Sequence, residues 1–387
     1  MDKLSEAQLK IIDDLTDWYR RDSREMQYVT LGGYAGTGKT TLIGYLRNRI
    51  FQLDNGIKVG FAAYTGKAAR VLNTKIKALK ALYKGDSIGT IHSLIYSPII
   101  NSQEQIVGWK QKDKIDPDLI IIDEASMVDP FIWQHLVSYQ KPIIAIGDHG
   151  QLPPISENFN LMQKPVLKLE QIYRQAENNP IIELSIMART AGKIPPGRYG
   201  KTVAKYDRNN DETNEILGEM LANYNKETLI LTGFNHTRQK INSHIRASLG
   251  FETPEPQSGD RVICLRNNHK ENIFNGMLGT VISIADKGDD RYQAEIAMDD
   301  EPGTYSGYIS KKQFNSEPIN FTDKRKFVRD VDLFDFGYAL TVHKAQGSQA
   351  RRVILIEERF SKMDDQMWKR WLYTAVTRAE SELYIFG

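Results

Sequence analysis

Gly33-Tyr34-Ala35-Gly36-Thr37-Gly38-Lys39-Thr40 has the spacing G-x-x-x-x-G-K-T, which lets backbone N–H groups close around phosphate oxygens. In such a loop Lys39 reaches the β- and γ-phosphates and the Thr40 hydroxyl ligates Mg²⁺, with Gly33, Ala35, Gly36, Thr37, Gly38 and Thr41 lining the cradle. An apolar run, Leu119-Ile120-Ile121-Ile122, ends in Asp123-Glu124, 84 residues beyond Lys39. Beside a phosphate loop this assigns Asp123 to Mg²⁺ and Glu124 to orienting or deprotonating the attacking water. A third string, Ile144-Ala145-Ile146-Gly147-Asp148-His149-Gly150-Gln151-Leu152-Pro153-Pro154, brings Gly147, Asp148 and Gln151 to the same sheet edge. The uncharged Gln151 amide suits a γ-phosphate sensor better than a base. Phosphoryl transfer also needs positive charge on the developing oxygens, and Arg174 and Arg378 are the candidates.

These groups need a scaffold that delivers them to one edge. Residues 27–31 read as a strand, and 39–51 carry helical spacing at Leu42, Ile43, Leu46 and Ile50. A buried strand, a glycine turn and a helix N-terminus are what anion binding requires. The short, nearly all-apolar runs 61–64, 119–122 and 142–146 predict strands covered on both faces, hence an α/β fold with a parallel sheet. Residues 93–117 break the alternation with extended runs at 94–100 and 105–110 around Asn101-Ser102-Gln103-Glu104, predicting an inserted β-hairpin. A second α/β pattern follows, with helices at 181–190, 214–224 and 237–249 and a strand at 228–232. From 259 to 331 the chain turns to short strands (261–265, 279–284, 292–298) punctuated by Asn275-Gly276 and Gly279, predicting a small inserted barrel. Core-strand character resumes at 337–341, 353–356 and 383–386.

A chain of 387 residues has room for two or three domains, and 41% hydrophobic with 26% charged residues is ordinary for a soluble protein. The 51 basic and 49 acidic side chains leave a net charge of +2, so any nucleic-acid track must be local. The single cysteine, Cys264, excludes an intramolecular disulfide and a multi-cysteine metal site, and its apolar surroundings predict a buried thiol. The opening Met1-Asp2-Lys3-Leu4-Ser5-Glu6 is too charged for a signal peptide, and no apolar run reaches membrane-spanning length. A soluble, cytoplasmic protein is expected.

Taken together, the strings resemble superfamily 1 helicases, most closely the RecD-like and Dda-like branch (superfamily 1B), over nearly the whole chain and in the same order. Leu4-Ser5-Glu6-Ala7-Gln8-Leu9 resembles the adenine-reading segment, which assigns Gln8 to the base edge. The same resemblance stacks Tyr173 on adenine, brings Arg174 to the γ-phosphate and makes Arg378 the arginine finger. Tyr338-Ala339-Leu340-Thr341-Val342-His343-Lys344-Ala345-Gln346-Gly347-Ser348 is the most specific match in the C-terminal half, and adds Gln346 and Gly347 to the nucleotide site.

The resemblance also implies a strand track. Thr65, Gly66 and Lys67, then Thr90 and His92, lie in its first two strand-contacting motifs, although Tyr64 stands where relatives often have proline. Asn235 and Arg238, with Thr341, His343 and Lys344, would contact the strand from the other side; such groups suit phosphates without reading sequence. The implied architecture is two RecA-like motor domains (1–92 with 118–165, and 166–258 with 332–387), a pin hairpin at 93–117 and an SH3-like insert at 259–331. Tyr96 and Trp109 are the pin candidates for stacking on the last base pair, with packing of the hairpin onto the core as the other reading. The implied activity is Mg²⁺- and ATP-dependent translocation on single-stranded DNA, 5′→3′, by a monomeric motor with ATP bridging both domains. Its partners would be single-stranded DNA, single-strand/duplex junctions, and single-strand-binding, replication, repair or recombination proteins. An RNA-directed helicase, and a translocase or loader subunit that does not itself unwind, fit the same motifs; a P-loop kinase fits the Gln151 and Arg378 strings poorly.

Overall fold

Burial on both faces marks the central strands of the first sheet. The computed structural model describes residues 4–100, 106–153, 159–170, 179–266, 268, 271, 273, 275–299, 303–316 and 331–387. Helix α1 (Glu6–Asp17) opens on a reciprocal cap between Ser5 and Gln8 and turns Ile11, Ile12 and Leu15 inward. Then follow β1 (Tyr28–Gly33), α2 (Lys39–Leu53), β2 (Val59–Ala63), α3 (Gly66–Ala78), β3 (Ser87–Thr90), α4 (Ile91–Ile95), β4 (Tyr96–Ile100), β5 (Ile106–Gln111), β6 (Leu119–Asp123), α5 (Pro130–Ser138), β7 (Ile143–Gly147), β8 (Leu167–Leu169) and α6 (Pro180–Ala191). The sheet runs β3-β2-β6-β7-β1-β8, all parallel. Its interior strands β2, β6 and β7 are buried along their full length. Ala63 stands opposite Asp123, and Gly32 opposite Gly147, so the carboxyl ends of β2, β6, β7 and β1 share one edge. That edge is where a doubly wound sheet binds ligands. Leu42, Ile43, Leu46 and Ile50 of α2 pack with Leu31, Phe61, Ile121 and Ile144 in the core beneath it.

The second sheet is assembled from β9 (Gly197–Arg198), β10 (Val203–Tyr206), α7 (Glu212–Ala222), β11 (Thr228–Thr232) and α8 (Asn235–Ser248), and later from β17 (Ala339–Thr341), β18 (Ala350–Ile356), α9 (Asp365–Val376) and β19 (Ala379–Phe386). Its order is β17-β11-β18-β19-β10-β9, parallel except for β9. Between the two groups lie β12 (Arg261–Cys264), β13 (Leu278–Asp286), β14 (Arg291–Met298), β15 (Thr304–Ser310) and β16 (Phe334–Phe336), an antiparallel sheet in the order β15-β14-β13-β12-β16. Alternate residues of β14 are buried, as one-sided packing demands, and Cys264 lies in that core with Val262, Ile296 and Phe334. Burial pushes the Cys264 thiol up to about 12, which keeps it protonated and unreactive.

Two compact units result. One comprises Met1–Ser97, Lys110–Gly192 and Lys369–Thr377; the other comprises Pro98–Trp109, Lys193–Trp368 and Arg378–Gly387. The expected elements recur with small shifts and two informative differences. Leu94 and Ile95 are helical, in α4, rather than the start of a strand, because Thr90 caps the turn by accepting from Ser93 N–H at 3.1 Å. Helix α6, grouped by sequence pattern with the second half, clusters with the first unit. Alternation of helix and strand orders the elements but does not say which sheet a helix at the boundary packs against.

Candidate active site

Strand β1 ends at Gly33 and α2 begins at Lys39, so residues 34–38 form a turn at the sheet's carboxyl edge. Gly36 and Gly38 lie at φ of 78° and 80°, where a side chain would be strained, and a Cβ on Gly38 would come within 2.8 Å of Gln8 Nε2. Lys39 Nζ donates to the loop's own carbonyls, Gly33 O at 2.7 Å and Tyr34 O at 3.0 Å, and stands 4.0 Å from Asp148. Thr37 ties its hydroxyl to Tyr34 O at 2.8 Å. Gln8, 2% exposed, donates from Nε2 to Thr37 O at 3.1 Å while Oε1 accepts from Ser5 N–H. The α1 cap residue is therefore fastened directly to the phosphate loop, and one amide hydrogen remains for a ligand.

Asp123, at the end of β6, accepts from the Thr40 hydroxyl at 3.0 Å and from Glu124 N–H at 2.9 Å. Thr41 follows on the first turn of α2. Burial pushes the Asp123 carboxyl up, against the Lys39 charge and both hydrogen bonds. A buried carboxylate beside a hydroxyl at a phosphate loop is a donor set that fits Mg²⁺, which takes one or two carboxylates and completes its shell with phosphate and water. Among the described residues no cluster of three or more acidic, histidine or cysteine side chains forms a self-sufficient metal cage. Glu124 is half-buried and adopts φ of 55°, a left-handed conformation uncommon for a non-glycine residue, at the turn that follows the strand.

Asp148 is the hub of the site. It is 2% exposed and accepts from Gly150 N–H at 2.9 Å, Gln151 Nε2 at 3.4 Å and the Tyr373 hydroxyl at 2.6 Å. Contact with Asp148 fixes which way the Gln151 amide points, leaving Oε1 buried without a hydrogen-bond partner among the described residues. Tyr373, on α9, also takes the Ala35 N–H on its hydroxyl oxygen at 2.7 Å, and its neighbour Thr374 accepts from Leu152 N–H at 2.9 Å. The Tyr34 ring lies 4.2 Å from that of His149, tilted by 46°, with Arg189 over it at 3.9 Å. Both His149 nitrogens are buried without partners among the described residues, and burial lowers its pKa.

Tyr373 and Tyr34 are the contributions that sequence reasoning missed; Asp148 was expected at this edge but without a role. Tyr373 had a signal: Trp371, Leu372 and Ala375 surround it with apolar positions, and a phenol buried among them must find a partner. Tyr173 and Arg174 lie outside the described residues. Arg378 is 3% exposed and donates to Ser348 O at 3.3 Å, while Gln346 and Gly347 (φ 76°) lie half-buried in the turn after β17.

The strand-track candidates divide. Thr65 and Thr90 are the N-caps of α3 and α4, accepting from Ala68 and Ser93 N–H. Capping uses the hydroxyl oxygen and leaves its hydrogen to donate, so capping and phosphate contact are compatible. Gly66 and Lys67 begin α3, and His92 is half-buried in α4 with its ring 4.2 Å from Tyr96. On the other unit Asn235 begins α8, but that helix start already holds an anion: Glu358 accepts from Gly233 and Phe234 N–H at 3.0 Å each and from Thr237 at 2.6 Å. Arg238 is corrected outright. It is 1% exposed and pairs with Asp335 at 2.8 Å, an interior ion pair and not a surface contact. Thr341 is buried at the end of β17. His343 and Lys344 are half-buried, and burial lowers both pKa values, that of Lys344 further by the Arg238 charge against the opposing pull of Asp335. Tyr96 is packed: it is 8% exposed and its hydroxyl meets His135 Nδ1 at 2.6 Å. Trp109 is half-buried on β5.

Residues 3–211, more than half of the chain, match the model of the family described as an AAA domain. The chain belongs to that family. Residues 336–386 of this AAA-domain chain match the UvrD-like helicase C-terminal domain, the stretch that carries Thr341, Tyr373 and Arg378. It is 28% identical over 408 residues to the ATP-dependent RecD2 DNA helicase of Deinococcus radiodurans, covering 99% of this chain and 49% of that protein. It is 24% identical over 454 residues to the ATP-dependent DNA helicase dda of Enterobacteria phage T4, covering 96% and 99%. The chain thus spans about half the length of the Deinococcus relative and nearly all of the phage one. Among solved structures, a Pif1 helicase from Bacteroides with ADP-AlF3 and ssDNA superposes at a TM-score of 0.53 with 19% identity, over 100% of this chain and 92% of that one. A Pif1 helicase structure concerned with unwinding at forked dsDNA gives 0.53 at 20% identity, over 100% and 92%. The matches bear out the resemblance to superfamily 1B helicases of the RecD-like and Dda-like branch, and the parallel-sheet core is RecA-like. No described helix is long and apolar enough to cross a membrane.

Proposed function

We propose that the chain is an ATP-dependent DNA helicase that moves along single-stranded DNA, 5′→3′, and separates duplex ahead of it. The observation that carries this reading is Tyr373. It comes from the segment matching a helicase C-terminal domain, and its hydroxyl is bonded both to the phosphate-loop amide of Ala35 and to Asp148. A phosphate loop serving an isolated kinase has no use for that connection.

In this mechanism ATP is the substrate, read at its base by Gln8 and Tyr173 and held at its phosphates by residues 33–41. Lys39 leaves the Gly33 and Tyr34 carbonyls to take the β- and γ-oxygens. Mg²⁺ held by Thr40 and Asp123 would neutralise charge on those oxygens. Glu124 orients the attacking water and takes its proton, and Gln151 senses the γ-phosphate. Arg174 and Arg378 stabilise the charge that develops, with Gln346 and Gly347 completing the nucleotide contacts. Nucleotide-driven closure moves one set of phosphate contacts (Thr65, Gly66, Lys67, Thr90, His92) relative to the other (Asn235, Thr341, His343, Lys344) by a nucleotide. Hairpin β4–β5 serves as the pin and the antiparallel sheet of β12–β16 as the SH3-like insert. A loader or translocase role within a larger assembly is the second reading, favoured by 25% identity to a RecBCD enzyme subunit RecD from Buchnera aphidicola. Single-strand/duplex junctions and single-strand-binding, replication or repair proteins are the partners this reading calls for. Lys39→Ala is expected to abolish DNA-stimulated ATP hydrolysis and leave single-strand binding measurable; turnover near wild type in that variant contradicts the assignment.

A further inference from the structure

The root of hairpin β4–β5 is fastened to α5, and one residue, Tyr139, reaches both of its legs. A two-stranded hairpin alone is at best marginally stable in water, so a hairpin that must resist load needs an anchor. The Tyr139 hydroxyl lies within donating distance of Ile95 O at 3.0 Å and Lys112 O at 2.8 Å. Those carbonyls flank the hairpin, one just before β4 and one just after β5. Lys112 closes the same junction, donating from its backbone to Ile95 O at 2.9 Å and from Nζ to Ser93 O at 2.8 Å and Leu94 O at 3.1 Å. Two flanking ties run to α5 itself: Tyr96 to His135 at 2.6 Å, and Gln111 Nε2 to Ser138 Oγ at 2.9 Å.

The far side of the anchor is equally fixed. Tyr139 is the C-cap of α5, and Gln140 after it sits at φ of 52°, so the helix stops with the ring held in place. Gln27, just before β1, donates to Val137 O at 2.8 Å and Lys141 O at 3.2 Å, and Tyr28 packs edge-on to Trp133 at 5.1 Å. The path from hairpin to the nucleotide-bearing sheet is therefore continuous through α5.

We propose that Tyr139 is a positioning residue for strand separation: it clamps both legs of the hairpin to α5 and passes the load at a fork into β1. This rests on the helicase reading above. The test compares wild type, Tyr139→Phe, Tyr96→Phe and the double variant in two assays: single-stranded-DNA-stimulated ATP hydrolysis and single-turnover unwinding of a forked DNA duplex. Tyr139→Phe is expected to slow unwinding by about three- to tenfold, the change that loss of one such hydrogen bond produces, with kcat and KM for ATP unchanged. The double variant is expected to be slower still. Unwinding equal to wild type in Tyr139→Phe overturns the clamp, as does a parallel fall in ATP hydrolysis and unwinding, which would mark a general packing role. Wild-type protein that hydrolyses ATP on DNA without unwinding the fork overturns the helicase reading itself, and the clamp with it.

Discussion

Tyr373 uses a single hydroxyl twice, accepting from the Ala35 amide and donating to Asp148. Without it Asp148 keeps Gly150 N–H, a long contact to Gln151 at 3.4 Å and Lys39 at 4.0 Å, too little to hold the Gln151 amide in one orientation. Tyr373→Phe is expected to lower kcat for DNA-stimulated ATP hydrolysis about tenfold, about 1.4 kcal/mol of transition-state stabilisation, with KM for ATP nearly unchanged. Steady-state kinetics at saturating DNA check it, and an unchanged kcat removes Tyr373 from the site. The loop, Asp123 and Gln151 were legible in the sequence because their spacing is itself the chemistry. Asp148 was placed at the phosphate edge without a task and Tyr373 was not singled out, since their roles arise from 225 residues of chain brought together and from no local pattern.

At the scale of elements, the strands were read from apolar runs because β2, β6 and β7 are buried on both faces and carry no competing signal. Helix α8 shows where a motif reading loses to periodicity. Arg238 shares a face with Ile241, Asn242 and Ile245, three, four and seven residues on, and that face is the buried one. A charge so placed needs a partner, and Asp335 on β16 supplies it. Lys344 feels that pair from its own half-buried position, Arg238 lowering its pKa and Asp335 opposing that. Arg238→Ala leaves Asp335 buried and uncompensated, and is expected to destabilise the protein by about 3–5 kcal/mol. Denaturant unfolding measures it. A variant of unchanged stability with weakened DNA binding would restore Arg238 to the track. The same helix carries Glu358 across its N-terminus, an occupant that no spacing rule could reveal because it arrives from 125 residues away.

Across the whole molecule, composition gave little. A net charge of +2 neither requires nor forbids nucleic acid, and the recognition of a motor came from the order of motifs along nearly the entire chain. The structure shows two parallel sheets and an antiparallel one, in two compact units. What the chain does with hydrolysis is a property of the whole, and one measurement addresses it directly: strand displacement with Mg²⁺ and ATP on duplexes bearing a 5′ or a 3′ single-stranded tail, each built in DNA and in RNA. The account predicts ATP-dependent displacement of the 5′-tailed DNA duplex, with little on the 3′-tailed or RNA substrates. DNA-stimulated ATP hydrolysis without displacement of any of them would contradict it.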